Sequence, residues 1–368
     1  MKVLFVISKH FKDSQTGAGT QVRETIRSVQ KLGCDVGRIY VKFYPVCFED
    51  EDGNVLSYNQ VVQLTRKYDV AHLIHCSSQM AAVWRTIPKM PTVGSSIYWG
   101  GWERVIMALK TNPFSVEGLR TACRFVRSMI PLYFDLRGVD VLLPNSHAEG
   151  ECVRRYARLT SNATIFPVNN GFIPPTYKLE DLRRSPLVPN DDYIVVPGII
   201  VSRKNQLGLI KAIRDLPYQV VFMGGYDEKS WFYCQCQKWA NERMRFLGYI
   251  QHDSEEYWSV LRDARCAVLA SDCETPGIAM IEAAYAGARP IITKFGGTIE
   301  YYGFDAEYFD PRYKGEIKNA VVHGWSRGRL SAGESQVYSR FSWDYCATLT
   351  VHAYEIAVNG SSVRSADI

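Results

Sequence analysis

Glu274-Thr-Pro-Gly-Ile-Ala-Met-Ile-Glu282, continued by Ala-Ala-Tyr-Ala-Gly-Ala-Arg-Pro-Ile-Ile-Thr293, is the stretch on which the fold turns. An apolar run, Cys266-Ala-Val-Leu-Ala-Ser271, precedes it, and Pro290-Ile-Ile-Thr293 forms its end. Both runs have the length and composition of buried strands. Between them Pro276 and Gly277 break the extended chain and can open a helix, since proline lacks an N–H that the first turn leaves unpaired anyway. Ile278, Ile281 and Tyr285 then recur at helical spacing, and Gly287 is placed to stop the helix. The unit reads strand, turn, helix, strand. Its helix start presents free N–H groups and about half a positive charge, which suits an anion and most often a phosphate.

Glu274 and Glu282 are placed in the turn and in the helix respectively. Eight helical residues would span roughly 12 Å. A catalytic carboxylate pair needs about 5–9.5 Å, so the spacing excludes that use. It fits two carboxylates at opposite ends of one long polar ligand, with phosphates on the helix start between them. With its surroundings, this stretch resembles the E-x7-E signature of retaining GT-B glycosyltransferases, family 4 in particular. The resemblance implies that Glu274 contacts the donor sugar, that Glu282 binds the ribose, and that the N–H groups of Gly277, Ile278 and Ala279 meet the diphosphate. The implied fold is α/β, with two Rossmann-like doubly wound domains facing a central cleft and a C-terminal helix crossing back to the first. The bland alternative is two surface glutamates on an ordinary crossover.

Further matches extend the resemblance along the chain. Ser202-Arg-Lys204-Asn-Gln206 resembles the motif whose Arg and Lys neutralise the leaving diphosphate, with Lys204 six residues after Gly198. Ile199 stands where that family carries its Arg, and Arg203 is the candidate replacement. Arg245-Phe-Leu-Gly248-Tyr-Ile250 resembles the strand whose end, at Ile250, reads the base. Phe295-Gly-Gly297-Thr-Ile-Glu300 resembles a G-G-x-x-E turn. In the front half, Gly17-Ala-Gly19-Thr20 reads as a loop before a helix whose buried face is Val22, Ile26, Val29 and Leu32. By resemblance, Gly17 and Gly19 approach the diphosphate from the opposite domain. A dinucleotide fingerprint is excluded, because nine residues separate the loop from the strand and Val22 holds the third glycine position.

Tyr68-Asp-Val-Ala-His72-Leu-Ile-His75 resembles the family's D-V-V-H strand, and on an apolar strand His72 and His75 read as satisfied core histidines. Pro91–Gly101 lies where relatives carry a histidine near the sugar; here Tyr98 and Trp99 occupy the neighbourhood. Residues 116–137 read as an amphipathic helix with Arg120, Arg124 and Arg127 along one face. Such a stripe faces anionic lipid or phosphate, or solvent alone. These five residues are the candidates for the acceptor side. The expected domains are 1–170, a linker at 171–190, a donor domain at 191–335, and a crossing helix with its tail at 336–368.

Composition bounds the rest. The chain has 368 residues, is 46% hydrophobic and carries net charge +5. That is enough for two full cores. Residues 1–168 hold 21 Lys+Arg against 14 Asp+Glu, and the remainder 22 against 24. A basic front half suits an anionic partner there, and is equally what ordinary surface variation produces. No apolar run reaches eighteen residues, and Met1–Ile7 is too short for a signal segment. The expectation is a soluble cytoplasmic protein, with peripheral membrane contact as a further option. Ten cysteines, Cys234 and Cys236 among them, follow no zinc or disulfide framework and read as reduced thiols.

The resulting expectation is an enzyme that moves a hexose or pentose, with retention, from a UDP- or GDP-linked sugar. Its acceptor would be a hydroxyl of a cell-surface or lipid-linked glycan precursor. Lys204, Glu274 and Arg203 carry the chemistry in this reading. No metal motif matches, Asp191-Asp192 being a bare pair, so the resemblance implies metal independence and no cofactor. A nucleic-acid acceptor and a non-catalytic donor-binding subunit are the alternatives.

Overall fold

A computed structural model describes residues 1–12, 14, 17–97, 135–252 and 254–366. The chain forms two compact units, and among the described residues it passes between them after Gly171 and after Phe341. Tyr98, Trp99, Arg120, Arg124 and Arg127 lie outside the described residues.

The first unit is built on an eight-stranded sheet. Its strands are β1 (Lys2–Ser8), β2 (Asp35–Phe43), β3 (Val46–Glu49), β4 (Val55–Leu56), β5 (Val70–Leu73), β6 (Thr92–Ser95), β7 (Val141–Leu143) and β8 (Thr164–Ile165). Their order is β4-β3-β2-β1-β5-β6-β7-β8, parallel except where β3 and β4 add antiparallel to one edge. Leu4, Val6, Ile39, Val41, Leu73 and Trp84 fill one face. Helix Gly17–Lys31 and the C-terminal helix Trp343–Ala366 pack on each other, and the latter also against β5, β6 and β7. Ser342 caps that last helix, its Oγ accepting from the N–H of Tyr345 at 3.3 Å.

Two front-half expectations change. Gly17 and Gly19 are not a loop but the first turn of the helix. A Cβ on Gly19 would sit 2.0 Å from the carbonyl oxygen of Ser14, so close packing on the preceding turn accounts for that glycine. Leu32 is not on the buried face, being 49% exposed one residue past the helix, while Val22, Ile26 and Val29 are buried. Gly33 then takes φ +83°, a left-handed helix stop.

His72 is a satisfied core histidine, as expected. Its Nδ1 meets the Tyr354 hydroxyl and its Nε2 the Ser95 hydroxyl, both at 2.7 Å. Complete burial, then the nearby His75, lowers its pKa from the usual 6.5 to about 3. The unfolded chain therefore binds this proton between those two pH values while the fold refuses it. Stability should fall as pH drops below about 6.5, by roughly 1.4 kcal/mol per unit, until about pH 3. Melting temperatures over that range should decline less steeply for His72→Gln than for wild type; equal slopes would assign the acid sensitivity elsewhere.

The second unit carries six parallel strands: β9 (Tyr193–Pro197), β10 (Gln219–Met223), β11 (Met244–Gly248), β12 (Cys266–Leu269), β13 (Arg289–Thr293) and β14 (Glu307–Phe309). Their order is β11-β10-β9-β12-β13-β14. β9 is buried along its whole length because helices cover both faces. Tyr193 and Val195 join Trp258 and Ile281 on one side, whereas Ile194 and Val196 join Leu209 and Val321 on the other. The proline-rich segment after Gly171 packs onto this unit: the N–H of Ser185 donates to Ser259 Oγ at 2.9 Å, and Arg262 donates to the carbonyls of Leu179 and Leu182. The order reverses between β9 and β12. In open α/β sheets the ligand crevice lies outside the carboxyl ends of the strands at such a switch point. Among the described residues, no helix is long and apolar enough to cross a membrane.

Candidate functional site

The residues that leave β9 and β12 meet at that switch point. After β9 the chain turns at Gly198, whose φ is +122°. It then forms a short 3-10 turn, Ser202–Lys204, and enters helix Gln206–Ile213 through Asn205 in the left-handed region. After β12, Ser271 and Asp272 lead into Glu274. The N–H of Asp272 donates to the Arg203 carbonyl at 3.0 Å, which joins the two loops.

Lys204 and Glu274 thereby form a buried ion pair, Nζ to Oε1 at 2.5 Å, with side chains 13% and 6% exposed. The Ser271 hydroxyl donates to the same oxygen. Burial pushes the Glu274 carboxyl up, but the charges of Lys204 and Arg203 and the bonds from Lys204 and Ser271 more than offset it. Its pKa ends below the ordinary carboxylate value, so it is an anion at neutral pH. Arg203 is exposed and acts on Glu274 through its charge. Ile199, in the expected arginine position, is 52% exposed.

Glu274 is held from behind by the glycine turn after β13. Its N–H donates to the Phe295 carbonyl at 3.1 Å and its carbonyl accepts from Gly297 at 3.0 Å. Gly296 has φ +108°, and a Cβ there would lie 2.0 Å from the Glu274 carbonyl oxygen. Both facts require glycine at this position.

Helix Ile278–Tyr285 starts one step later than the proline alone suggests. Gly277, not Pro276, is the cap residue, with φ +76° and no side chain to cap the first turn. The Gly277 carbonyl accepts from Met280 and Ile281, which leaves the N–H groups of Ile278 and Ala279 without a carbonyl of their own helix. The buried Tyr302 hydroxyl donates to the carbonyls of Pro276 and Gly277 at 2.9 and 3.3 Å, fixing the turn from its other side. Gly287, at φ +93°, ends the helix as expected.

Glu282 points from this helix toward the segment after β11 and is 1% exposed. Its Oε1 accepts from His252 Nε2 at 2.8 Å and its Oε2 from the Tyr257 hydroxyl. Ile250 lies in the same segment, half-buried against the core beside the exposed Tyr249. The second unit thus holds Lys204, Arg203, Glu274, Gly277, Ile278, Ala279, Glu282 and Ile250, with Lys204, Arg203 and Glu274 at one cluster and Glu282 at another, while Gly17 and Gly19 belong to the first. Ser271, His252, Tyr257 and Tyr302 went unassigned from the sequence. Ser271, three residues before Glu274 at a strand end, carried a usable signal; the others touch the site only through tertiary packing.

The chain is 25% identical over 194 residues to an uncharacterized glycosyltransferase of Methanocaldococcus jannaschii, covering 48% of each. It is 25% identical over 178 residues to the O-antigen chain mannosyltransferase B of Escherichia coli, covering 45% of this chain and 46% of that one. The matches thus span about half the length of these curated relatives. Sucrose-phosphate synthase from Thermosynechococcus elongatus superposes with TM-score 0.69 at 16% identity, covering 98% of this chain and all of that one. WaaG, a glycosyltransferase involved in lipopolysaccharide biosynthesis, gives TM-score 0.58 at 12% identity over 96% and 99%. These likenesses establish the GT-B type of fold. Residues 178–307 match the family described as "Glycosyl transferases group 1", so the second unit, with both glutamates of the site, carries a glycosyl transferases group 1 domain.

Proposed function

We propose that the protein is a retaining glycosyltransferase that moves a sugar from a UDP- or GDP-linked donor to a hydroxyl acceptor. The observation that carries this reading is the pair of buried carboxylates, Glu274 and Glu282, on either side of an uncapped helix start. A nucleotide-diphospho-sugar has the matching parts: sugar hydroxyls for Glu274, a diphosphate for the N–H groups of Ile278 and Ala279, and a ribose for Glu282. Departure of the nucleoside diphosphate puts negative charge on the leaving phosphate. Lys204, with Arg203 nearby, supplies positive charge for it, and preorganised charge of this kind is the main catalytic resource of such a site. A hydroxyl attacks the anomeric carbon on the same face, so one C–O bond forms as the bond to the phosphate breaks, and the hydroxyl proton passes to the departing phosphate oxygen. No metal or cofactor is assigned a part.

Two of the similar proteins bear names that refer to O-antigen and lipopolysaccharide. That supports a lipid-linked or cell-surface glycan precursor as acceptor, and with it work in the cytoplasm against a membrane surface. The expected result is that one UDP- or GDP-sugar of a donor panel raises the melting temperature and is turned over with an acceptor glycan. The product's anomeric configuration, read by NMR, should equal the donor's. Inversion would remove the retaining assignment. Donor binding without transfer to any glycan or nucleic acid would favour a donor-binding subunit.

A further inference from the structure

Both oxygens of Glu282 are engaged by the protein itself, yet the two partners are anchored very differently. Tyr257 lies in helix Glu255–Asp263, is 6% exposed, and packs edge-on against the buried Trp258 with ring centroids 5.8 Å apart. Its N–H is capped by Ser254 Oγ at 3.1 Å. Its hydroxyl cannot leave Glu282 without opening the core. His252 sits on the irregular segment between β11 and that helix; its ring lies tilted on that of Tyr257 with centroids 4.9 Å apart, yet its side chain is 41% exposed. Rotation into solvent would free Oε1 while the buried carboxylate kept Tyr257. A buried carboxylate stripped of a donor is costly, so whatever replaces His252 must bring its own hydrogen-bond donor. A sugar hydroxyl of a nucleoside does so.

We infer that Tyr257 is a positioning residue that holds the Glu282 carboxylate, and that His252 is an exchangeable occupant of Oε1, displaced when a nucleoside diphosphate brings its ribose to that oxygen. This rests on the donor-binding reading above and adds a division of labour to it. The two side chains touch the same carboxylate and have opposite effects on affinity. Tyr257 keeps the oxygens in place for the ligand. His252 competes with the ligand, so the apparent affinity of the resting protein is lowered by the fraction of molecules in which His252 holds the oxygen.

The test is calorimetric titration of the full chain with UDP and with GDP, in wild type, His252→Ala and Tyr257→Phe. For whichever nucleotide binds, His252→Ala should tighten binding by about five-fold, the gain expected if roughly four-fifths of wild-type molecules hold the contact. Tyr257→Phe should loosen it by about ten-fold or more. With the 2′,3′-dideoxy form of the same nucleotide the gain in His252→Ala should vanish, because no ribose hydroxyl remains to take Oε1. His252→Ala alters a half-exposed loop side chain, so it stays informative even if Tyr257→Phe fails to fold. Loosening in His252→Ala would make the histidine a ligand contact, and a gain that persists with the dideoxy form would make it an obstacle unrelated to the ribose; either result overturns the exchange. A wild-type protein that binds neither nucleotide would overturn the donor reading itself, which is a separate outcome.

Discussion

Lys204→Met should lower both stability and turnover, and adding Glu274→Gln should restore the first without the second. The single substitution keeps the volume and removes the ammonium from a buried pair. Breaking such a pair leaves an uncompensated carboxylate and costs about 3–5 kcal/mol, whereas neutralising both partners is often near neutral. In Lys204→Met/Glu274→Gln the amide oxygen can still accept from Ser271, so the melting temperature should return most of the way. Activity should not return. Loss of preorganised charge at a developing anion costs about 10²- to 10³-fold in kcat, and the double variant also lacks the carboxylate to which the proposed function gives the sugar hydroxyls. Circular dichroism melts beside single-turnover rates would separate the two effects. A double variant that regains both stability and turnover would make the pair structural and move the chemistry elsewhere.

Gly296→Ala should destabilise the second unit and abolish donor binding together. The new Cβ would stand 2.0 Å from the Glu274 carbonyl oxygen at a φ of +108°. Left-handed backbone costs a non-glycine residue about 1–2 kcal/mol, and overpacking a further 1–3. Relaxation by the easiest route pushes the Glu274 backbone away from the Phe295–Gly297 turn. The carboxylate then leaves Lys204 and Ser271. Gly315→Ala is the matched control, since nothing lies within 4 Å of a Cβ there. It should leave the melting temperature and the nucleotide titration near wild type. Donor binding that survives in Gly296→Ala would mean that Glu274 is not held in place by this turn.

Several features were legible in the residues themselves. The apolar runs at Val3–Ile7, Tyr193–Val196 and Cys266–Leu269 are strands because strands covered on both faces need continuous hydrophobic residues rather than alternation. Gly33 and Gly287 end helices because only glycine takes the left-handed conformation without strain. The segment Cys266–Thr293 folds as strand, turn, helix and strand, and its pattern is local. Leu32 was misplaced because periodicity gives a face but not a stopping point, and Gly33 ended the helix one residue too early for it. Gly17 and Gly19 were misread for a related reason: glycine is counted as a loop former, while here Ser14 crowds the first turn of a helix and leaves no room for a Cβ.

What the sequence by itself determined is the α/β class of the fold and the strand–turn–helix–strand unit that carries Glu274 and Glu282. Both follow from local patterning and from motifs whose spacing a single strand–turn–helix unit imposes. Only the tertiary structure decided the partners of those side chains. Lys204 and Glu274 are 70 residues apart in the chain, and Tyr302 reaches back 26 residues to the Pro276 carbonyl. His252 and Tyr257 reach Glu282 across 30 and 25 residues. Contacts at such separations depend on how parallel strands bring their carboxyl ends to one edge of a sheet. No period in the sequence encodes that, because the hydrophobic pattern that places a strand in the core says nothing about which loop will lie beside it.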